Sequence, residues 1–526
     1  MVDSPGAGNL LPSGQPQVNL EISRADRILL LAFAAANAVL YSSLMPLWEG
    51  FDEAFHYDYV QQLSASHHFP VLGKACISQE VWDSMHDCPV SHVTQRTKSE
   101  LETFDRYFAL SPEARTAKRQ ALESLPRNQT IPSWVPNYEA HQAPLAYVLM
   151  APLDSILSRR PITIRVLGLR ILGALAGAII TFIAALYLFR ILELPAIYQA
   201  LGLFCIFACQ MYWATTAHVA NDWLAVPLSV WFFASVAAFE KKRTLANTLR
   251  MALATSLGLL AKAYFLPLAV FAVCLVAYRR WKAMPAFIGV LAALAGPWYI
   301  RNLVLYHTLS ATVESVAGVG PTQVLASATH VHWLSSILFM LRGALWTGNA
   351  SFTSFSSLTL NAALLLLAAG MIMAIRRGVP GALWAAVAVY AAAVLYVTGI
   401  QFIFQHGEAA GASPWYLEVL LAPVLAIALA GMNRLLAIAT AILSGYICIV
   451  SYLVKLIPLY GGYPKGRTTL KDVFEWYRSD HGALTSMLST ISLAPPVILY
   501  SGTALVVLLS VVIVVRIVRA QLVGVR

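Results

Sequence analysis

Charge is what this sequence has least of. Only 12% of its 526 residues are Asp, Glu, Lys or Arg, against about 25% in soluble globular chains, which excludes a water-soluble fold of this length. Acidic residues are the rarer sign, 26 against 36 basic ones. The resulting net charge of +10 does not point to a nucleic-acid partner, because the Lys and Arg fall in short clusters between apolar runs, as in cytoplasmic loops. The turn-rich alternation of an outer-membrane barrel is missing. No apolar core with a cleavage site close behind follows the N-terminus, so no removable signal peptide is expected. Cysteine is scarce: of the six, Cys205, Cys209, Cys274 and Cys448 lie in apolar runs as small hydrophobes. Cys76 and Cys88 share the first large polar loop, where a disulfide and two free thiols are both open.

What is present is apolar length. Hydrophobic residues make up 58% of the chain, and many runs reach the ~20 residues that cross a bilayer core. The expectation is an all-α polytopic transmembrane bundle of about twelve spans. Residues 1–27 form a cytoplasmic tail, rich in Gly, Pro, Ser and Gln and disordered up to about Ile22. Arg24 and Arg27 then place the first span, Ile28–Leu47, with its start inside. Residues 28–310 form a first transmembrane module containing an outer loop over 48–165, and 311–526 form a second, more variable one.

Parity sharpens this threading. Four apolar segments, 141–157, 166–189, 196–216 and 223–239, separate the outer loop from the basic cluster Lys241, Lys242, Arg243. An odd number must cross. Segment 141–157 is short and holds Pro144, Pro152 and Asp154, so it is expected to lie on the outer surface as a juxtamembrane helix. Arg159, Arg160 and Arg165 then fall outside, against the positive-inside rule. The run between the Lys241 and Arg279 clusters must go out and back, turning near Lys262–Pro267.

With this threading the polar stretches converge on one face. They are "GFDEAFHYDY", "NYEAHQAPL", "AHVANDW", "LLAKAYF", "PWYIRN" and "QFIFQHGEAAG", with "MLRGALW" expected as a seventh. Charge at membrane depth is costly, so such residues line cavities. Helical spacing puts Glu49, Asp52, Glu53 and His56 on one face. Three readings fit: a solvated helix cap favoured by the dipole, a carboxylate–imidazole metal site that no HExxH or cysteine pair supports, or a general base oriented by its neighbours. Asp222 with Asn221 reads as an N-cap or a site acid. Lys262 reads as a snorkelling cation or an anion ligand, and Arg301 as part of an aromatic belt or a phosphate fork. Together, a carboxylate base beside cations at an apolar groove suits attack of an acceptor hydroxyl on a sugar carbon whose leaving group is a lipid phosphate. No redox cofactor is needed.

"FDEAFHY", "YEAHQAPLAYVL", "HVANDWLA", "GLLAKAYFLPL" and "GPWYIRNLVLYH" follow in order over about the first 310 residues. In this the chain resembles the GT-C superfamily of integral membrane glycosyltransferases, and within it the bacterial group related to protein O-mannosyltransferases and the lipid A aminoarabinose transferase. The resemblance implies a polyprenyl-phosphate-linked sugar donor, an inverting transfer to an acceptor hydroxyl on the outer face, and a bacterial inner-membrane location. Carried over by motif, Asp52 is the base and Glu53 its neighbour. Asp222 lies near the acceptor, Lys262 and Arg301 approach the donor phosphate, and His141 lines the site. His56 is expected to hydrogen-bond Asp52 one turn back. Phe51 replaces the usual proline before the acidic pair, and "APL" a commoner double proline. Metal use varies in the superfamily, so no metal is assigned. The rival class is a transporter or flippase for a lipid-linked or small anionic substrate. It would place polar residues at the midplane of repeated halves, and no internal repeat is found. A polysaccharide ligase or polymerase would share the lipid phosphate, with its large outer loop late in the chain.

Overall fold

The computed structural model of the protein describes residues 21–91, 100–348, 354–463 and 470–523. The tail read as disordered lies outside them up to residue 20. Among the described residues nine helices are long and apolar enough to cross a membrane, or ten if the bent pair Ala196–Ala208 and Gln210–Thr216, meeting at 60°, forms one span. The strands among the described residues form one antiparallel pair in the first loop, Cys76–Ser78 with Pro132–Pro136. The chain is an all-α, polytopic membrane protein. Its outer faces carry exposed Ile179, Ile183, Leu365, Ile372 and Leu508, as lipid contact requires and water would not favour.

The count differs from the expected twelve because the middle of the chain is broken more often than its hydropathy suggests. The helix Leu245–Ala261 has 17 residues and ends at Lys262, whose extended backbone (φ −159°, ψ 141°) turns the chain into Leu266–Arg280. The hairpin expected at Lys262–Pro267 is therefore present, with one arm shorter than a full span. Ala263–Leu294 qualifies as a single 32-residue run, although Arg280 (φ −156°, ψ 60°) interrupts it before Met284–Leu294. The expected span from Ala283 to about Leu305 is divided at Ala295 into two 11-residue helices, Met284–Leu294 and Gly296–Tyr306. Pro297, in the first turn of the second, cannot donate a backbone hydrogen bond to the helix before it.

Segment 141–157 folds as the 13-residue helix Leu145–Leu157. At 1.5 Å per residue this is about 20 Å, too short for a ~30 Å core. It packs on Glu53–Ser66 and on the long helix Ile162–Ile191. Arg165, which sat awkwardly with the positive-inside rule, is fully buried and paired with Glu80, with Tyr57 Oη 2.5 Å from its Nη1. A neutralised guanidinium of this kind has a structural reason for its place and carries little topogenic weight.

The basic clusters meet at one end of the bundle. Arg516 pairs with Asp26 at 2.8 Å, Arg279 lies 3.4 Å from Glu240, and Lys241 pairs with Glu193. Ala196, three residues beyond Glu193, helps line a small cavity with Asp26 and Arg516. At the centre runs Asp222–Lys241, 94% of whose apolar window is buried. It lies so close to Ile162–Ile191 that a Cβ on Gly177 would sit 2.7 Å from the Trp223 carbonyl oxygen, the small-residue contact by which membrane helices pack. That central helix presents its N-terminal residue, Asp222, to the first loop.

Candidate functional site

The first span ends at Leu44, and the chain reaches the next helix through left-handed backbone at Trp48 (φ 62°) and Asp52 (φ 56°). Aspartate tolerates this region better than most residues. The helix starts only at Glu53. Glu49, Asp52, Glu53 and His56 therefore do not share a helical face, because one residue of αL geometry swings Asp52 away from its neighbour. Its Oδ1 accepts a 2.5 Å hydrogen bond from Tyr138 Oη.

Glu53 turns the other way, into the protein. Arg170 grips it with two nitrogens, Nε to Oε1 at 2.7 Å and Nη2 to Oε2, and the Val219 amide donates to Oε1 at 2.9 Å. The same guanidinium donates to the carbonyls of Met45 (2.6 Å) and Pro46 (2.8 Å). Arg170 thus ties the end of the first span, the Glu53 carboxylate and the long helix together. Hydropathy gave no sign of this, since Arg170 lies inside a run read as a plain span.

His56 does not bond Asp52. Its Nδ1 lies 2.7 Å from Tyr147 Oη and its Nε2 3.9 Å from Glu139 Oε2. The helix that begins after Asp52 carries His56 to the inner side, where burial pushes its pKa well below the usual value. His141 Nδ1 lies 2.8 Å from the Tyr138 carbonyl; burial lowers its pKa to about 4, so it is neutral and its Nδ1–H donates there. Glu139 is the acid that the sequence reading passed over, although it stands in the quoted "YEAHQAPL". It accepts from Gln142 Nε2 at 2.7 Å, and burial followed by the Asp52 charge raises its pKa. Asp52 is also raised, by burial first; the Tyr138 hydrogen bond and the Lys262 ammonium act against the rise.

A second cluster closes the other side. Lys262 Nζ donates to Asp222 Oδ2 at 2.6 Å and Tyr264 Oη to Oδ1 at 3.2 Å, and the ammonium sits 5.3 Å from the Tyr264 ring centre. Asn221 makes no side-chain cap bond; its Nδ2 goes to Gln142 Oε1 and the Ala261 carbonyl, both at 2.9 Å. Arg301 lies farther along, over Trp298 at 4.5 Å, with Nη2 donating to the Pro70 carbonyl at 2.9 Å. Its Nη1 is buried and has no partner among the described residues. Among the described residues Arg301 makes no hydrogen bond or ion pair with the other six positions; its bond is to the loop that leads on from the Glu53 helix. His218, missed by the sequence reading although present in "AHVANDW", packs against Gly50, where an added Cβ would lie 2.6 Å from the His218 Cβ.

Asp52 borders a cavity of about 730 Å³, within the range of small-molecule sites. It is exposed and contributes to the lining of this cavity. The early part of the chain contributes Trp48, Phe51 and Tyr138, and the late part Gln401, Glu408 and Trp415. Phe51, which stands where the resemblance expected proline, stacks on Trp415 at 4.2 Å. Cys76 and Cys88 are both free thiols: Cys76 is held in the strand pair, and Cys88 Sγ donates to the Ser84 carbonyl at 3.3 Å. No group of three or more His, Cys, Asp or Glu side chains is arranged to hold a metal among the described residues.

No protein-family profile matches the chain, and no curated protein sequence does. Among solved structures, ArnT from Cupriavidus metallidurans bound to undecaprenyl phosphate overlaps with a TM-score of 0.44 at 13% identity, covering 93% of this chain and 77% of that one. The Archaeoglobus fulgidus oligosaccharyltransferase in complex with Zn and sulfate overlaps with a TM-score of 0.41 at 13% identity, over 86% and 55% of the two chains. The same archaeal protein tethered to an acceptor peptide gives 0.41 and 12% over 89% and 55%. This chain spans about half the length of that archaeal enzyme. Likeness of this degree leaves the chemistry to be read from the residues.

Proposed function

We propose that the protein is an inverting membrane glycosyltransferase. It moves a sugar from a polyprenyl-phosphate donor to an acceptor hydroxyl at the outer face of a bacterial inner membrane. The observation that carries this reading is Asp52: a carboxylate on a cavity wall, aimed by Tyr138, with the Lys262 charge near enough to act on it. As the acceptor O–H gives its proton to Asp52, the oxygen forms a bond to C1 of the donor sugar from the side opposite the phosphate. The C1–O bond breaks, and its electron pair leaves on the phosphate oxygen. One displacement inverts C1. The charge on the leaving phosphate is met by Lys262 and by Arg301, whose Nη1 has no partner among the described residues, in a site where fixed cations act strongly.

In this reading Asp222 sets the position of Lys262, Glu53 fixes the backbone that carries Asp52, and His56 and His141 buttress the wall behind it. The test is transfer of sugar from a radiolabelled polyprenyl-phosphate donor by reconstituted protein. Asp52→Asn is expected to cut transfer by about 10²–10⁴-fold with membrane insertion and melting unchanged. Full transfer by that variant would overturn the assignment of the base, and flux of donor across vesicles without covalent transfer would favour a flippase.

A further inference from the structure

The walls of the 730 Å³ cavity carry a chemical bias. Trp48, Phe51, Trp82, Phe339 and Trp415 supply large apolar faces. Gln401, Gln405 and Glu408 contribute amide and carboxylate groups whose side chains make no hydrogen bond among the described residues. No Lys, Arg or His lines the cavity among the described residues. Its ionisable wall groups besides Tyr138 are Asp52, Glu408 and Glu53, and the last is neutralised by Arg170. Lys262 and Arg301 are not among the lining residues: they are bonded instead to Asp222 and to the Pro70 carbonyl. The described lining thus carries free amides and carboxylates but no cation.

A phosphorylated or carboxylated molecule entering this enclosure would lose water and meet the Asp52 and Glu408 carboxylates, with no cation among the described lining residues to answer it. A pyranose ring meets the opposite: its C–H faces stack on aromatic rings, and its hydroxyls both donate to carboxylates and accept from amides. We infer that this cavity is the acceptor site, and that the acceptor is an uncharged saccharide presenting a ring hydroxyl to Asp52. The inference rests on the glycosyl-transfer reading and narrows it to one acceptor class.

The test uses full-length protein in nanodiscs of zwitterionic lipid, with no donor present, and reads tryptophan fluorescence from the cavity wall. The probes are mannotriose, cellotriose and galactotriose, their singly phosphorylated forms, and a blocked Ser/Thr-rich peptide. At least one neutral trisaccharide is expected to saturate the signal, with its phosphorylated form bound about tenfold or more weakly. Gln405→Arg, at an exposed position, is expected to shrink that ratio. Equal or tighter binding of a phosphorylated form, saturation by the peptide alone, or no saturation by any neutral member would each overturn the inference. Transfer that depends on Asp52 without saccharide binding would leave the enzyme reading standing and remove this one. Saccharide binding without transfer from a polyprenyl-phosphate sugar would do the reverse.

Discussion

On the two sides of a single peptide bond the protein treats a carboxylate in opposite ways. Glu53 points into the helical packing, where two guanidinium nitrogens and a backbone amide meet its oxygens. Asp52 points into a cavity, where one phenol holds one of its oxygens. The first region is built to stay put: a buried pair of this kind is costly to desolvate and still costlier to break. The second retains unmet hydrogen-bonding capacity and a raised pKa, the combination that suits a group taking and releasing a proton. Two neighbouring acids of similar chemistry are told apart by what surrounds them.

The comparison breaks most severely at Glu53. Glu53→Gln or Arg170→Met would leave a buried charge unpaired, at a cost of about 3–5 kcal/mol, and the yield of monodisperse protein on size-exclusion chromatography is expected to collapse. The double variant removes both charges and is expected to recover much of that yield. Asp52→Asn is expected to do the converse, losing about 10²–10⁴-fold in transfer rate while the melting temperature stays within error, since asparagine also accepts αL geometry.

Two pH experiments sharpen the contrast. A base works only when deprotonated, and burial holds the Asp52 pKa above the ordinary 3.8, so activity should rise with pH along a limb lying above that value. Tyr138 donates to the charged form and lowers this pKa. Tyr138→Phe should therefore move the limb further up, by at most about one unit for a hydrogen bond worth ~1 kcal/mol. The smallest effect concerns stability. His141 has a folded-state pKa of about 4 against 6.5 when unperturbed, so between these values the unfolded chain takes a proton that the folded one refuses. Stability should be full above pH 6.5 and fall toward pH 4. His141→Gln should flatten part of that slope in thermal melts.

Some of this was legible from the residue string and some was not, for a consistent physical reason. Apolar runs and basic clusters are local signals, and they located the helices, the break at Lys262 and the ends where the clusters meet. The motifs around Asp52, Asp222 and Lys262 also came together. Pairings set by distant residues left no local trace. Arg170 finds Glu53 across 117 positions, and nothing in an apolar 30-residue helix marks one arginine as an anchor. A single left-handed residue cannot be read from periodicity, and it undid the shared face assigned to Glu49, Asp52, Glu53 and His56. Glu139 was in plain view within its motif, but its neighbour His141 drew the assignment.

The joint between early and late chain has a consequence for biogenesis. Glu49 accepts from Tyr460 across 411 residues, Asn37 meets Tyr452 across 415, and Phe51 stacks on Trp415. The first loop is made early in translation, yet its final packing partners reach the membrane near the end. Such long-range contacts form slowly. While they wait, Asp52 and its aromatic neighbours face an incomplete enclosure, so closure of this cavity is expected to be a late step that follows insertion of the last spans.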